Sequence, residues 1–472
     1  MALASANVHM VASYIPEPML VFGGANLHVN PRSGIARYGP YSHSPRRSHP
    51  EQVRVGLVGS AMTIAASTEW LRTTAAGVAG DENNPEFPGY AADRGFFSEL
   101  LFDSIWNEPI TQTEIGNLLA ISKKRMRFEA AVALFEEKIR AIDDRDFRPD
   151  YLVIAIPDDV LRACHVADYS DKDRGLVHRD LRRALKAVAM KYRIPTQLLR
   201  QQTIDGRDPT PMAKIAWNFF TGLYFKAGGT PWSPHGLVAG TCYAGIGFYR
   251  ALGDRETHLH TSLVQAFDEH GNGLVLRGPN FEWDPASGGE RSPHLSEAHA
   301  SELTGLVLRR YREEMKQTPR RVVIHKTSRY WPAEKAGFEA ALKGTVDTFD
   351  LVALERQSAI RLITTSKYPP LRGTRFGVQD IDFLYTTGFI AALGEFHGMH
   401  VPSPIRIADH VGQDTSRQGL LEEILLLTKM NWNSAGFCGK YPITLRFSEL
   451  VGEIMREIPA DREPRPQFKF YM

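Results

Sequence analysis

Between Asp168 and Arg200 the chain gathers nine basic side chains (Lys172, Arg174, Arg179, Arg182, Arg183, Lys186, Lys191, Arg193 and Arg200). Four acidic ones oppose them (Asp168, Asp171, Asp173 and Asp180), so nine minus four leaves a local surplus of five where the whole chain carries only +2. His178, Arg182 and Lys186 are spaced four apart, which on a helix stacks them along one face. A row of cations on one face suits a polyanion, phosphate above all, since ammonium charge and the guanidinium fork both match phosphate oxygens. An ordinary solvated helix face has the same appearance. Beyond the row stands Gln197, whose amide donates without adding charge. Asn218 follows, then Lys226 just ahead of Gly228-Gly229.

Other groups make poorer sites. Gly56 to Gly59 lack both the GxGxxG spacing and a Walker lysine, so they read as a strand-to-helix turn. His258 and His260 alternate on an expected strand with no carboxylate or cysteine at ligand spacing, and read as surface or groove residues. Cys164 and His165 are adjacent and seldom face each other, which leaves a structural cysteine. The three cysteines, Cys164, Cys242 and Cys438, are far apart, so neither a zinc ribbon nor a disulfide framework is expected and a reducing cytosol is. The near-neutral charge excludes a histone-like chain. No basic segment precedes an apolar one near Met1, so no secretory signal is expected, and apolar runs such as Tyr151 to Ile156 fall far short of the roughly 18 to 20 residues of a membrane span.

The elements that must position these residues are those of an α/β protein. The first fifty residues, rich in Gly, Pro and Ser, read as an extended, turn-rich arm, and the stretch from Arg32 to Arg47 as a cover or a guide or partner contact. Val53 to Ser60 is an apolar strand leading into a helix. Lys123 to Ile142 is a helix with Phe128, Val132, Phe135, Ile139 and Ile142 on one side, and Tyr151 to Pro157 a buried strand, an alternation that implies a mainly parallel sheet. Leu176 to Tyr192 and Pro211 to Phe225 read as helices, and Thr230 to Gly236 as a domain boundary. The second half starts with a strand from Cys242 to Leu252. A hairpin follows around Asp268 to Asn272, then a helix from Ser296 to Lys316 and strands at Arg321 to His325 and Phe349 to Leu354. Three strands, a helix, then more strands is the order of ribonuclease H-like folds.

The first half resembles the MID domain of Argonaute proteins. There a basic or aromatic residue, a Lys four later, a Gln just after the helix and a Lys before a Gly-Gly turn hold the 5′-phosphate of a guide strand. Arg182 stands where many members have Tyr, followed by Lys186, Gln197, Asn218 and Lys226, with His178 one turn ahead. The run Lys226-Ala-Gly-Gly-Thr-Pro-Trp232 is the most specific match, while a further basic position of eukaryotic members falls on Gly222. The resemblance also implies Mg²⁺ in this pocket, held by the carboxylate of Met472 at the end of the apolar tail from Gln467.

The second half resembles a PIWI domain, through Tyr243 to Phe248, Val323 to Ser328, Pro402 to Asp409, Leu427 to Asn433 and Tyr441 to Phe447. Cleaving members place carboxylates on these strands to hold two metal ions. Their first Asp corresponds to Gly247 and their second to Thr327, and only Asp409 keeps an acid. Glu282 and Glu290 are the candidates for a mobile glutamate, with no assignment between them. One carboxylate does not neutralise and position two divalent ions, so no catalytic residue and no nuclease activity are expected.

The resemblance implies an arm plus Rossmann-like MID domain over residues 1–235 and a ribonuclease H-like PIWI domain over 236–472, the organisation of short prokaryotic Argonautes. It implies a cytoplasmic guide-binding subunit that takes a 5′-phosphorylated short guide, RNA in the first instance, and pairs it with invading single-stranded DNA. It further implies a partner with an APAZ region and a sirtuin-like or TIR NADase, whose NAD depletion aborts infection, and no membrane contact. The competing readings are a stand-alone guide-directed endonuclease with unconventional metal ligands, and a nucleotide-handling α/β enzyme.

Overall fold

The computed structural model describes residues 10–171, 175–252, 258–266, 273–283, 292–355, 358–379, 381–396, 398, 400–412 and 414–472. The arm is more ordered than its composition suggests. It holds a strand, β1 (Met10–Tyr14), and a helix, α1 (Pro31–Tyr38). Asn30 caps that helix by accepting the Arg32 and Ser33 N–H groups, and Pro31 takes its first position. An Asn-Pro start and a buried Ile35 are enough to hold a short helix in a Gly- and Ser-rich stretch.

The first sheet forms around β2 (Gln52–Ser60), which runs into α2 (Ala61–Ala75), and continues with β3 (Glu99–Phe102) and β4 (Glu108–Ile110). Helix α3 (Lys124–Asp143) leads to β5 (Tyr151–Ile156), and a hairpin of β6 (Val166–Asp171) and β7 (Gly175–Asp180) leads to α4 (Leu181–Ala189). Then come β8 (Thr196–Arg200) and α5 (Met212–Lys226). Strands β8, β5, β2 and β3 lie side by side, β4 also pairs with β2, and every pairing is parallel. A parallel sheet covered on both faces explains why β5 is buried at all six residues instead of alternating. The five apolar residues of α3 are buried as their spacing predicts.

The expected helix from Leu176 does not form at that point. Residues 175–180 pair with β6 instead, and the helix starts only at Leu181, where the Asp180 carboxylate accepts the Arg183 N–H at 3.0 Å. Lys172 and Arg174, counted among the nine basic residues, lie outside the described residues.

In the second half β9 (Thr241–Tyr249), β10 (His258–Ala266) and β11 (Leu274–Glu282) run antiparallel, and the hairpin tip at Asp268 to Asn272 lies outside the described residues. Helix α6 (Glu297–Met315) precedes β12 (Arg321–Lys326), which lies parallel to β9. Helix α7 (Pro332–Leu342) precedes β13 (Thr348–Glu355), and β14 (Thr374–Val378), β15 (Ile381–Leu384) and β16 (Ile405–Val411) follow. The sheet order is β1-β14-β15-β16-β13-β12-β9-β10-β11, which contains the expected ribonuclease H-like arrangement. Helices α8 (Arg417–Leu427) and α9 (Ile443–Met455) pack beneath it.

The arm ties the halves together. β1 forms the edge of the second sheet through β14, and Leu20–Val21 pairs with Ser233–Pro234 inside the expected boundary. Glu17, buried, pairs with Arg372 at 2.9 Å and Lys429 at 2.8 Å. One apolar core runs through both halves, including Trp217, Phe220, Trp232, Leu420, Trp432 and Phe468. Among the described residues no helix is long and apolar enough to cross a membrane.

Candidate functional site

Two lysines forty residues apart in sequence meet under the first sheet. Lys186 sits on α4 and is 2% exposed, and Lys226 ends α5 and is fully buried. Both ammonium groups donate to one oxygen, the Thr196 carbonyl at the start of β8, at 2.7 Å and 3.3 Å. Lys226 also donates to Oε1 of Gln197, the next residue. Buried cations ordinarily face a carboxylate, because desolvating an unpaired charge is expensive. Among the described residues none bonds to this pair. Burial, then Lys226 and Arg182, push the Lys186 ammonium well below its usual range. Burial and the Arg182 charge bring Lys226 down to about 7.

The surroundings add positive charge. Arg182, one turn before Lys186, stays partly in solvent; crowding by protein lowers its guanidinium, Arg200 and Arg183 add to that effect, and Asp180 and Glu453 oppose it. Arg456, just past the end of α9, is lowered by burial, with Arg183 and Arg250 contributing. Donors held this way, in low dielectric and without an acid, are arranged for an anion to complete.

The structure brings together Arg182, Lys186, Gln197 and Lys226. It removes His178 from the row. That residue lies on β7, exposed, with Nδ1 2.6 Å from Asp168 across the hairpin, because the strand pairing replaces the expected first helical turn. Asn218 shares the α5 face of Lys226 two turns earlier, and its Oδ1 accepts the Ala435 N–H at 3.1 Å. Met472 is buried, and its tail turns inward through Phe468, whose ring lies 6.0 Å from Phe225 and 3.7 Å from Phe447. Sequence reasoning missed the Thr196 carbonyl, a backbone group that leaves no signature. It also missed Arg250 and Arg456, too far away in sequence to be grouped with α4.

Turn geometry holds Lys226 at its place. Gly228 has φ +102°, in the left-handed region that favours glycine. A Cβ on Gly229 would lie 2.3 Å from the Tyr224 ring. His49 bridges the Tyr224 hydroxyl at 2.7 Å and the Phe97 carbonyl at 2.6 Å, which anchors the end of α5 to the arm.

In the second sheet the pairing of β9 with β12 ends at Gly245 and His325, so Gly247 lies further along β9 and Thr327 just past the end of β12. Asp409 on β16 is bound by Lys335 at 3.0 Å and by the Tyr330 N–H at 3.3 Å. His325 is buried against Thr444 Oγ1 at 2.8 Å, and burial lowers it to about 3, so it stays neutral. The buried Lys326 pairs with Glu334, which also meets His294. No group of three His, Cys, Asp or Glu side chains able to hold a metal is found among the described residues. Glu282 lies 3.6 Å from His258 Nε2, and Glu290 lies outside the described residues. His260, read from the sequence as a surface or groove residue, is 4% exposed and stacks on Tyr249. Cys164 is buried, and burial raises its thiol.

No family model matches the chain, and no curated protein matches it in sequence. Solved structures do. Clostridium butyricum Argonaute bound to a guide DNA and a 19-mer target DNA matches with a TM-score of 0.65 and 17% identity over 97% of this chain and 55% of that one. Drosophila Piwi matches with 0.61 and 12% over 98% and 56%. A. aeolicus Argonaute matches with 0.59 and 15% over 96% and 54%. The chain therefore spans about half the length of these structures, and at such identities the likeness is one of fold.

Proposed function

We propose that this chain is a guide-binding subunit that clamps the 5′-phosphate of a short strand, RNA in the first instance, and offers the strand for pairing with single-stranded DNA. The observation that carries this reading is the buried Lys186 and Lys226 pair with no carboxylate against it. A terminal phosphate brings nearly two negative charges and several acceptor oxygens at neutral pH. Lys186 and Lys226 supply ammonium protons, the Gln197 amide a neutral donor, and Arg182 a guanidinium at the mouth. Base pairing then reads sequence while protein holds the backbone, as in RNA-guided systems generally. The fold shared with an Argonaute bound to guide and target is consistent with that division of labour.

Mg²⁺ is compatible with the groups beside the pocket. Gly222, one turn before Lys226 on the same face of α5, leaves a space in which a Cβ would lie 3.6 Å from Asn433 Oδ1 and 4.0 Å from the Trp432 carbonyl. Oxygen donors of this kind, with the Met472 carboxylate, are the ones that would hold a hard cation, and the ion would add charge opposite the phosphate.

The second half is read as non-cleaving. Asp409 is engaged by Lys335, and Gly247 and Thr327 offer no carboxylate, so two divalent ions lack ligands there. The output is then a signal to a partner: an APAZ-containing effector with a sirtuin-like or TIR NADase, acting in antiviral defence. That part of the proposal rests on the sequence resemblance. The test compares one RNA carrying a 5′-phosphate or a 5′-hydroxyl. Lys226→Ala with Gln197→Ala removes contacts worth roughly 1.5 to 3 kcal/mol each, so the phosphorylated strand loses on the order of a hundredfold or more in affinity and the hydroxyl strand far less. Equal losses count against the pocket, and cleavage products that depend on Asp409 with Mg²⁺ or Mn²⁺ count against the non-cleaving reading.

A further inference from the structure

We infer that seating a terminal phosphate on Lys186 and Lys226 draws protons from water onto this pair, so that the pocket binds its anion and a proton together. The inference rests on the guide-binding reading of the same site. Its ground is geometric. Two fully buried amino groups share one acceptor, the Thr196 carbonyl, at 2.7 Å and 3.3 Å. The remaining acceptor, Gln197 Oε1, serves Lys226 alone. Two ammonium groups so close, with no carboxylate bonded to them among the described residues, repel each other in a medium that screens poorly. One nitrogen escapes the repulsion by giving up a proton and accepting from the other.

The charged groups around the pair do not relieve it. On α4, Arg182 and Arg183 are cationic, and Asp180 is committed to capping the helix at Arg183 N–H. On β8 stands Arg200. At the end of α9, Glu453 pairs with Arg183 at 3.0 Å, and Arg456 just beyond the helix is cationic. Lys469 in the C-terminal segment is a half-buried cation, and among the described residues the Met472 carboxylate beyond it makes no ion pair with Lys186 or Lys226. On β5, Tyr151 lies under Lys226 with its ring 6.0 Å away and stays neutral, its hydroxyl raised well above the usual range by burial. Lys226, held near 7 by burial and by Arg182, is then mostly neutral above pH 8 in the empty pocket. A phosphate dianion supplies the missing negative charge, and both nitrogens become ammonium: for each proton taken up one N–H bond forms on lysine and one bond to hydrogen breaks in the buffer acid or water that donates it.

The experiment is isothermal titration calorimetry of the full chain with one short RNA bearing a 5′-phosphate or a 5′-hydroxyl. It is repeated at pH 8 in buffers of different ionisation enthalpy, at constant Mg²⁺. The phosphate itself, with its second ionisation near pH 6, contributes almost nothing at pH 8. The expected result is an uptake of between about one and two protons for the phosphorylated strand beyond that for the hydroxyl strand, since Lys226 alone accounts for about one. Affinity for the phosphorylated strand should also fall at least about eightfold between pH 7.5 and pH 8.5, the part due to Lys226 alone, while the hydroxyl strand holds within about twofold. Lys226→Arg, which keeps charge but does not titrate in this range, should lower the uptake and retain a preference for phosphate. A phosphate preference with no net proton difference in the wild-type chain overturns this inference and leaves the guide-binding reading standing. No preference for phosphate at all overturns the reading and the inference with it.

Discussion

Replacing Lys226 by methionine separates the stability of the pocket from its use. In the guide-free chain Lys226 titrates near 7, against an ordinary 10.5, because burial and the Arg182 charge both disfavour the ammonium. At 1.36 kcal/mol per pKa unit, that makes the native lysine a destabilising element of roughly 4 kcal/mol at pH 7.5. Its hydrogen bonds to Thr196 O and Gln197 Oε1 offset about 1 kcal/mol each, and methionine fills a similar volume without charge. The variant should therefore gain on the order of 2 kcal/mol in the absence of nucleic acid. The folded-state value lies below the unfolded one, so the lysine's penalty is full below pH 7 and is relieved as pH rises toward 10.5. The advantage of the variant accordingly shrinks by about 2 kcal/mol between pH 7.5 and pH 9. Calorimetric melting of nucleic-acid-free protein reads both effects, and a binding assay should show the preference for a 5′-phosphate collapsing in the same variant. A variant that melts below wild type at pH 7.5, with the same deficit at pH 9, would refute the claim that Lys226 is an uncompensated buried charge.

Three further outcomes follow from other contacts. Glu17→Gln leaves Arg372 and Lys429 buried without their carboxylate, so it should cost about 3 to 5 kcal/mol in chemical denaturation and speed proteolysis next to β1; an unchanged midpoint would mean the arm is not latched there. Gly229→Ala forces the Tyr224 ring aside, since the new Cβ would lie 2.3 Å from it. That displacement, typically about 1 to 3 kcal/mol, should appear as weaker binding of phosphorylated RNA with little change for hydroxyl RNA. Removing divalent ions with EDTA should weaken the phosphorylated strand by about tenfold if a cation sits beside Gly222, in keeping with one charge-assisted contact; identical affinity with and without EDTA would exclude the metal from the account.

The fold was legible wherever burial sets the pattern. Strands β2 and β5 and helix α3 stand within a residue or two of where their apolar runs put them, since a parallel sheet covered on both faces leaves uninterrupted hydrophobic strands. The arm was harder to read. Its role depends on contacts more than 350 residues away, Glu17 with Arg372 and Lys429 and β1 with β14, and local composition carries no trace of them. The false helical turn over His178 has a local cause. A spacing of four satisfies both a helix face and one side of a strand, and only the antiparallel partner strand, Val166–Asp171, decides between them.

The pairing of Lys186 with Lys226 stands out for a reason that goes beyond the count of cations. Lys186 and Lys226 lie on helices that are otherwise apolar on their inner faces, where a lysine without an acidic neighbour has no structural use. Stability alone favours a hydrocarbon at both positions, and in the proposed reading an anion resolves the conflict. The structure adds where that component would act. Helix α5 carries Lys226 at its end, meets the second half through Asn218 and the Ala435 N–H, and is covered by Phe468 where Phe225 faces it. In the proposed reading, an anion bonded to Lys226 would therefore act on a helix whose sides touch a loop and the C-terminal tail of the second half, through Ala435 and Phe468.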